Sequence, residues 1–134
     1  MRKNPLILVA DDEPLVADTL VQILQTEGFD AISVSDGAAA VRWAREARPD
    51  LIICDVIMPS LNGIEAAKQI KGFLSLVPII LFSGQASAAG LVDKALAEGY
   101  HFEVLAKPIK PELLLENILR LLNHSAWKFT SKNV

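Results

Sequence analysis

The chain has 134 residues, which is long enough for one domain with a proper hydrophobic core. Hydrophobic residues make up 51% and charged residues 22% of the chain, and this composition excludes an intrinsically disordered protein. The formal net charge is -3 and no basic block occurs, so we do not expect direct binding of nucleic acid.

Cysteine usage and hydropathy narrow the class of protein further. Cys54 is the only cysteine, which excludes a disulfide within the chain, and inside an apolar run it is expected to be inert core. The apolar run at residues 6–10 is shorter than the core of a signal peptide and is ended by Asp11. No apolar stretch approaches the roughly 20 residues of a membrane span. We expect a soluble, cytoplasmic protein without membrane insertion.

Five short apolar runs predict five strands, at residues 6–10, 31–35, 51–56, 78–82 and 102–106. The first, third and fourth runs are almost continuously apolar, which is typical of parallel strands that are covered on both faces.

The segments between these runs have helical periodicity. Predicted helices lie before Gly28, from Asp36 to about residue 47, and at 62–71, 86–98 and 111–122. Strands that alternate with helices predict an α/β domain with a parallel sheet and right-handed crossovers, at residues 1–123. Residues 124–134 are predicted to be a short polar tail.

Polar residues follow four of the apolar runs. Ligands of an open parallel sheet bind beyond the carboxyl ends of its strands, where we expect Asp11, Asp12, Asp55, Ser83 and Lys107. Three carboxylates against one ammonium group favour a bound divalent cation, and oxygen-only ligands suit Mg²⁺ or Mn²⁺. A metal, a lysine and a hydroxyl at one edge indicate a site for a phosphoryl group.

Four segments in order carry a family resemblance: "LVADDEP", "IICDVIMPSLNGIEAAKQI", "PIILFSG" and "LAKPI". Together they resemble the receiver domains of two-component response regulators, over residues 5–123. The resemblance implies a flavodoxin-like three-layer sandwich, in which a doubly wound five-stranded parallel sheet of order 2-1-3-4-5 is flanked by five helices.

The resemblance also implies a role for each matching residue. Asp55 would accept a phosphoryl group from a histidine kinase or a phosphotransfer protein. Asp12 would bind Mg²⁺ directly and Asp11 through water or as support. The backbone carbonyl of Ile57 would complete the protein ligands, with Asp55 as the remaining carboxylate.

The resemblance implies that Lys107 contacts the phosphoryl group and that Ser83 reorients toward it. The small Gly84 would leave an entry path for the donor. Ile57 and Gln85 flank the site and would influence the lifetime of the acyl phosphate.

Val104 departs from the family pattern. Many receiver domains have Tyr or Phe three residues before the conserved lysine, and its rotation reports phosphorylation. Here Tyr100 and Phe102 are the aromatic residues nearest to that position. This departure puts the aromatic part of the switch in doubt.

The leading functional interpretation is a phosphoacceptor switch that is not an enzyme beyond its own phosphorylation and autodephosphorylation. It would act on a downstream protein target, and the leucine-rich fifth helix and fifth strand offer a surface for a partner or a homodimer. One alternative is a pseudo-receiver that serves only as an interaction module. Another is a haloacid-dehalogenase-like phosphatase, which needs a second Asp at the position of Ile57. A plainer alternative makes Asp11 and Asp12 helix caps.

Overall fold

The computed structural model describes residues 3–84 and 87–123, with the backbone alone for 87–89. Five strands alternate with five helices. The strands are β1 (Leu6–Ala10), β2 (Asp30–Val34), β3 (Leu51–Asp55), β4 (Ile79–Ser83) and β5 (Glu103–Ala106). The helices are α1 (Pro14–Thr26), α2 (Gly37–Ala47), α3 (Gly63–Lys71), α4 (Ser87–Ala97) and α5 (Pro111–Asn123). The predicted tail at 124–134 and Gln85 lie outside the described residues.

The five strands form one parallel sheet in the order β2-β1-β3-β4-β5, which confirms the predicted doubly wound topology. Strands β1, β3 and β4 occupy its centre and are buried along nearly their whole length, as their continuous apolar runs predict. The edge strand β2 has no fully buried residue. The sheet order brings the carboxyl ends of β1, β3 and β4 side by side.

Two hydrophobic clusters cover the two faces of the sheet and make the fold a three-layer sandwich. One cluster packs α1 and α5 on the sheet through residues such as Leu24 and Ile118. The other packs α2, α3 and α4 on the opposite face through residues such as Ala44 and Ile70. Burial of both faces stabilises the central strands mainly through the hydrophobic effect. Among the described helices, none is long and apolar enough to cross a membrane.

Strand β4 ends one residue later than predicted, at Ser83. Ser83 pairs with Ala106 of β5, and its carbonyl accepts a hydrogen bond from the backbone N–H of Lys107 at 3.1 Å. A polar residue therefore continues the ladder, because backbone pairing does not depend on an apolar side chain. This pairing ties Ser83 and Lys107 to adjacent positions at the same edge of the sheet.

Side-chain caps begin two of the helices where the sequence predicts them. The Asp36 carboxylate accepts a hydrogen bond from the N–H of Ala39 at 2.8 Å, and the Asn62 side chain accepts one from Glu65 at 2.9 Å. These caps satisfy backbone donors that have no partner within the first helical turn. The second cap fixes the start of α3 directly after the loop that follows Asp55.

Gly63 lies against the backbone of Asp55 and is expected to tolerate no side chain. A Cβ at this position would lie 2.0 Å from the Asp55 carbonyl oxygen. We expect Gly63→Ala to lower the free energy of unfolding by about 2 kcal/mol or more, because β3 and α3 must separate. The matched control is Gly90→Ala in α4, where a Cβ meets nothing within 4 Å. This change should stabilise the protein by up to about 1 kcal/mol. Urea denaturation measures both, and equal midpoints for the two variants would contradict the expectation.

Candidate functional site

A pocket of about 410 Å³ opens at the carboxyl end of the sheet. Its lining brings together most of the residues that the sequence places at this edge, namely Asp12, Glu13, Asp55, Ile57, Ser83, Gly84 and Lys107. Four separate loops or strand ends contribute to it, as the sheet order requires. Asp11 lies beneath the pocket and is only 1% exposed.

Asp55 is the last residue of β3 and lies in the middle of this edge. The backbone N–H of Val56 donates to the Phe82 carbonyl at 3.1 Å, so the ladder with β4 continues one residue beyond the strand. The Gly63 N–H then donates to the Val56 carbonyl at 2.7 Å and closes the loop back onto the strand. Asp55 is 5% exposed, so its carboxylate faces the pocket from a largely buried position.

Lys107 connects three carboxylates. Its Nζ donates a hydrogen bond to Asp55 Oδ2 at 3.2 Å and one to Glu13 Oε1 at 3.5 Å, and it lies 3.4 Å from Asp11 Oδ2. The peptide bond between Lys107 and Pro108 is cis. The ammonium group therefore lies where three chain segments meet, and it supplies the positive charge that offsets the buried carboxylates.

The environment shifts the pKa of both Asp55 and Lys107 upward. Burial raises the pKa of the Asp55 carboxyl, and the hydrogen bond and charge of Lys107 offset this only in part. For Lys107, burial disfavours the charged form, but the hydrogen bond to Asp55 and the charges of Asp55 and Asp11 outweigh it. The pKa of Lys107 therefore lies above its ordinary value. The ionised form of Asp55 therefore remains disfavoured, and a further cation near the carboxylate would stabilise it.

Asp11, Asp12 and Asp55 offer one carboxylate oxygen each, and these oxygens lie within 4.8 Å of one another. Asp11 Oδ2 is buried and accepts no hydrogen bond from any residue that the structure describes. The Lys107 ammonium group lies 3.4 Å from this oxygen as an ion pair without a hydrogen bond, so burial of the oxygen stays costly, and oxygen-only ligands suit Mg²⁺ or Mn²⁺. These residues therefore fit a magnesium ion.

The two acidic residues after β1 differ in exposure. Asp12 is exposed and lines the pocket, whereas Asp11 is buried below it. Neither residue is the N-cap of helix α1, because that position is Glu13, whose own side chain accepts no capping hydrogen bond. Asp11 Oδ1 instead accepts a hydrogen bond from the Glu13 N–H at 2.8 Å. The alternative of pure helix capping is therefore wrong. The arrangement matches an exposed ligand with a buried supporting carboxylate.

Ser83 and Gly84 lie together at the end of β4 and both line the pocket. A Cβ on Gly84 would lie 3.3 Å from Lys107 Cβ, which is tighter than most contacts of this kind. Because glycine has no Cβ, Gly84 avoids a steric conflict with the Lys107 side chain. Ile57 lines the pocket as well and is 36% exposed, while the role of its carbonyl as a ligand stays a prediction.

The two aromatic residues near Val104, Tyr100 and Phe102, lie away from Ser83. Val104 is 42% exposed on β5 and pairs with Leu81. The Tyr100 and Phe102 rings stack with centroids 5.8 Å apart, before the first residue of β5. Since Ser83 pairs with Ala106, Phe102 lies about 13 Å further back along the strand. Neither ring can therefore contact Ser83 as a substitute for the Tyr or Phe that is expected at the position of Val104.

Cys54 and Glu13 are neighbours of the site residues Asp55 and Lys107. Cys54 is 1% exposed, and burial, followed by the charges of Asp55 and Asp11, raises the pKa of its thiol, which agrees with inert core. Glu13 has no role in the sequence-based assignment, yet it contacts Lys107. The only sequence signal for it is its place as the third acidic residue of the run at 11–13.

Comparison with known proteins identifies the family. Residues 7–119 match the response regulator receiver domain family. The chain is 36% identical over 112 residues to the DNA-binding response regulator MtrA of Mycolicibacterium smegmatis, covering 84% of this chain and 48% of that protein. It is 33% identical to the alkaline phosphatase synthesis transcriptional regulatory protein PhoP of Bacillus subtilis, covering 91% and 50%. The chain thus spans about half the length of these relatives.

Solved structures give the same result. The signal receiver domain of a signal transduction histidine kinase from Syntrophus aciditrophicus superposes with a TM-score of 0.81 at 32% identity, covering 92% of this chain and 94% of that one. The chemotaxis protein CheY4 of Vibrio cholerae superposes with a TM-score of 0.78 at 28% identity, covering 89% and 99%. The sheet order, the match over residues 7–119 and these relatives together show that the chain belongs to the response regulator receiver domain family.

Proposed function

We propose that Asp55 accepts a phosphoryl group from a histidine kinase or a histidine phosphotransfer protein. The observation that carries the proposal is the position of Lys107 Nζ, 3.2 Å from Asp55 Oδ2, in a pocket that also holds Asp12 and Ser83. An Asp55 oxygen forms a bond to phosphorus while the P–N bond of the donor breaks and its electron pair stays on the imidazole. Asp12, Asp55 and the Ile57 carbonyl, with Asp11 indirectly, would hold Mg²⁺, which would neutralise charge on the transferring group.

The chain's own residues prepare Asp55 for this step. The β3 backbone fixes the Asp55 carboxylate at the base of the pocket, where the residue is only 5% exposed. Lys107 is already hydrogen-bonded to the Asp55 carboxylate, so its ammonium group can also stabilise the charge on the phosphoryl oxygens. Electrostatic stabilisation by a preorganised ammonium requires little rearrangement.

Phosphorylation would act as a switch because it changes the local charge. The carboxylate of charge -1 becomes an acyl phosphate of about -2, and the Ser83 hydroxyl at the edge of the pocket can reorient toward it. Ser83 is joined to Lys107 through the backbone, so its movement acts on the loop after β4 and on the end of β5. A two-state loop is a common output of such a charge change.

A groove beside the pocket offers a docking surface for the protein donor. It has a volume of about 440 Å³ and shares Lys107 with the site, and its walls come from α1 and from residues 108–111. Leu15, an apolar residue of this groove, is 80% exposed and so is available to a partner. Because the groove adjoins the pocket at Lys107, we assign it to the histidine kinase or phosphotransfer protein that delivers a phosphohistidine to Asp55.

The output surface is proposed on β5 and α5. Val104, Leu113 and Leu119 are 42%, 46% and 38% exposed, so α5 presents apolar residues outside its buried stripe. We assign this surface to a downstream protein target or to a second copy of the chain. One of the relatives named above, MtrA, is a DNA-binding response regulator, but we do not propose direct contact of this acidic domain with nucleic acid.

Two alternatives are weaker. A haloacid-dehalogenase-like phosphatase needs an acid/base two residues after its nucleophile, and Ile57 occupies that position. The domain would therefore catalyse only its own phosphorylation and dephosphorylation. A pseudo-receiver without phosphorylation is favoured by Val104 alone, whereas the contacts of Lys107 with Asp55 and Asp11 argue against it.

The direct test is incubation with Mg²⁺ and acetyl phosphate. We expect the intact protein to gain the mass of one phosphoryl group, with the modification on Asp55 and no continuous release of phosphate above slow autodephosphorylation. Absence of any modification would leave the interaction module as the better interpretation. Steady turnover of a small phosphate ester would favour the phosphatase.

Beryllofluoride, a mimic of the phosphoryl group, should reveal which part of the site moves. We expect Ser83 and Gly84 to shift toward the ligand, because both line the pocket, while Val104, Tyr100 and Phe102 keep their positions. Crystal structures with and without beryllofluoride measure this directly. A loop after β4 that does not move, or a displaced Tyr100–Phe102 stack, would contradict the proposed switch.

A further inference from the structure

Glu13 is the one carboxylate at the mouth of the pocket that the proposed chemistry does not use. It follows Asp12 in the chain, forms the N-cap of α1 and lines the pocket. Its side chain is 64% exposed, and its Oε1 accepts a hydrogen bond from Lys107 Nζ at 3.5 Å. It is not part of the cluster of three carboxylates that could share a metal.

Lys107 is shared between the base and the mouth of the pocket. Asp55 at 3.2 Å and Asp11 at 3.4 Å contact the ammonium group from the buried side, and Glu13 contacts it from the solvent side. An ammonium group has three N–H donors. Lys107 donates hydrogen bonds to Asp55 and to Glu13, and a phosphoryl group that arrives at Asp55 competes with the exposed contact to Glu13, which is the weaker of the two.

Glu13 also places a negative charge where a donor enters. Asp11 and Asp55 are buried, and the exposed Asp12 belongs to the carboxylate cluster that a bound cation would neutralise. Glu13 lies outside that cluster and is exposed at the opening, so its charge repels an approaching anion. Coulomb repulsion between this carboxylate and a donor grows with the donor's negative charge and is weakened by salt. Acetyl phosphate is mostly dianionic at neutral pH, whereas in phosphoramidate and in a phosphohistidine with a protonated imidazole the positive nitrogen offsets one of the two negative charges of the phosphoryl group.

We propose that Glu13 is a positioning and selectivity residue, which holds Lys107 toward the mouth of the pocket and disfavours dianionic phosphodonors relative to phosphoramidate-type donors. The inference rests on the proposed phosphorylation of Asp55 and concerns the choice of donor. It makes the domain respond to a phosphohistidine while it limits phosphorylation by small acyl phosphates. The structural observations that carry it are the Lys107 contact and the exposed position in the lining of the site.

The test compares two small donors on three variants of the intact chain. Glu13→Gln removes the charge and keeps the size, and Glu13→Asp keeps the charge but shortens the side chain. Asp18→Asn is the matched control, since it removes one exposed carboxylate from the same helix and lines a different pocket. Initial phosphorylation rates are measured against donor concentration with saturating Mg²⁺, at low and at high salt.

For Glu13→Gln we expect the second-order rate constant with acetyl phosphate to rise about threefold to fivefold at low salt. The gain should appear as a lower half-saturating donor concentration. It should disappear near 1 M salt, where the screening length is about 3 Å. With phosphoramidate the change should stay below about twofold. Glu13→Asp should resemble the unchanged chain with acetyl phosphate, and Asp18→Asn should leave both donors unaffected.

Several outcomes would overturn the inference. These are an unchanged acetyl phosphate rate in Glu13→Gln, an equal gain with both donors, or the same gain in Asp18→Asn, which would make it an effect of net charge. A Glu13→Asp variant that behaves like Glu13→Gln would also overturn it, since the charge would not be the cause. If the unchanged chain takes up no phosphoryl group from either donor, the proposed function itself fails.

A readout without any donor checks that the metal site is intact. Because Glu13 lies outside the carboxylate cluster, we expect Glu13→Gln to change the Mg²⁺ half-saturation by less than about threefold. Thermal unfolding at a series of Mg²⁺ concentrations measures this half-saturation. A loss of Mg²⁺ affinity as large as that of a cluster residue would mean that Glu13 is a metal ligand and would overturn the assignment.

Discussion

Asp55→Asn is expected to abolish phosphorylation by acetyl phosphate, with a rate at least about a thousandfold lower than that of the unchanged chain. The amide oxygen is a poor nucleophile, while the shape of the side chain is retained. Asp36→Asn is the matched control, because asparagine caps a helix as well as aspartate does and Asp36 lies outside the pocket. Intact-mass measurement after incubation reports the result. A phosphorylated Asp55→Asn protein would place the acceptor at another residue.

The same variant has an expected effect on stability. Burial raises the pKa of Asp55 above its ordinary value of 3.8, so the ionised carboxylate destabilises the fold at neutral pH. That cost is present above the folded-state pKa and disappears as the pH falls below the ordinary value. Without Mg²⁺, Asp55→Asn should therefore be at least as stable as the unchanged chain at pH 7, with a difference that vanishes toward acid. Urea denaturation across this range measures it. A less stable variant at pH 7 would show that pairing with Lys107 outweighs burial.

Asp12→Asn is expected to remove most of the stabilisation by Mg²⁺. A ligand present at a hundred times its dissociation constant stabilises a fold by about 2.7 kcal/mol, and a hundredfold weaker affinity would reduce this to about 0.4 kcal/mol. Asp12 is the exposed member of the carboxylate cluster, so its loss should weaken the metal site by about tenfold to a hundredfold without a large change in the metal-free fold.

Thermal unfolding with Mg²⁺ and with a chelator measures this effect. Asp18→Asn again provides the control, since it removes an exposed carboxylate of α1 outside the cluster. The unchanged chain and the control should lose the same increment of unfolding temperature on chelation, and Asp12→Asn should lose little. Equal increments in all three proteins would exclude Asp12 as a metal ligand.

Local sequence patterns determine much of this protein. Continuous apolar runs identify β1, β3 and β4 because both faces of these strands are buried, and the polar residue that ends each run falls at one edge because all strands are parallel. Asp36 and Asn62 cap the helices that they are predicted to begin, since capping is a contact within one helical turn. The position of Asp55 at the carboxyl edge follows from the same reasoning.

Only the tertiary structure decides how the residues at that edge share their contacts. Asp11 and Asp12 are adjacent and chemically identical, but one is buried and the other exposed, because the turn after β1 directs them differently. Glu13 reaches Lys107 across 94 positions of sequence, and the Tyr100–Phe102 stack lies at the opposite end of β5 from Ser83. Sequence periodicity reports which face of an element is buried. Distances between side chains of different strands depend on register and rotamer, which no local pattern contains.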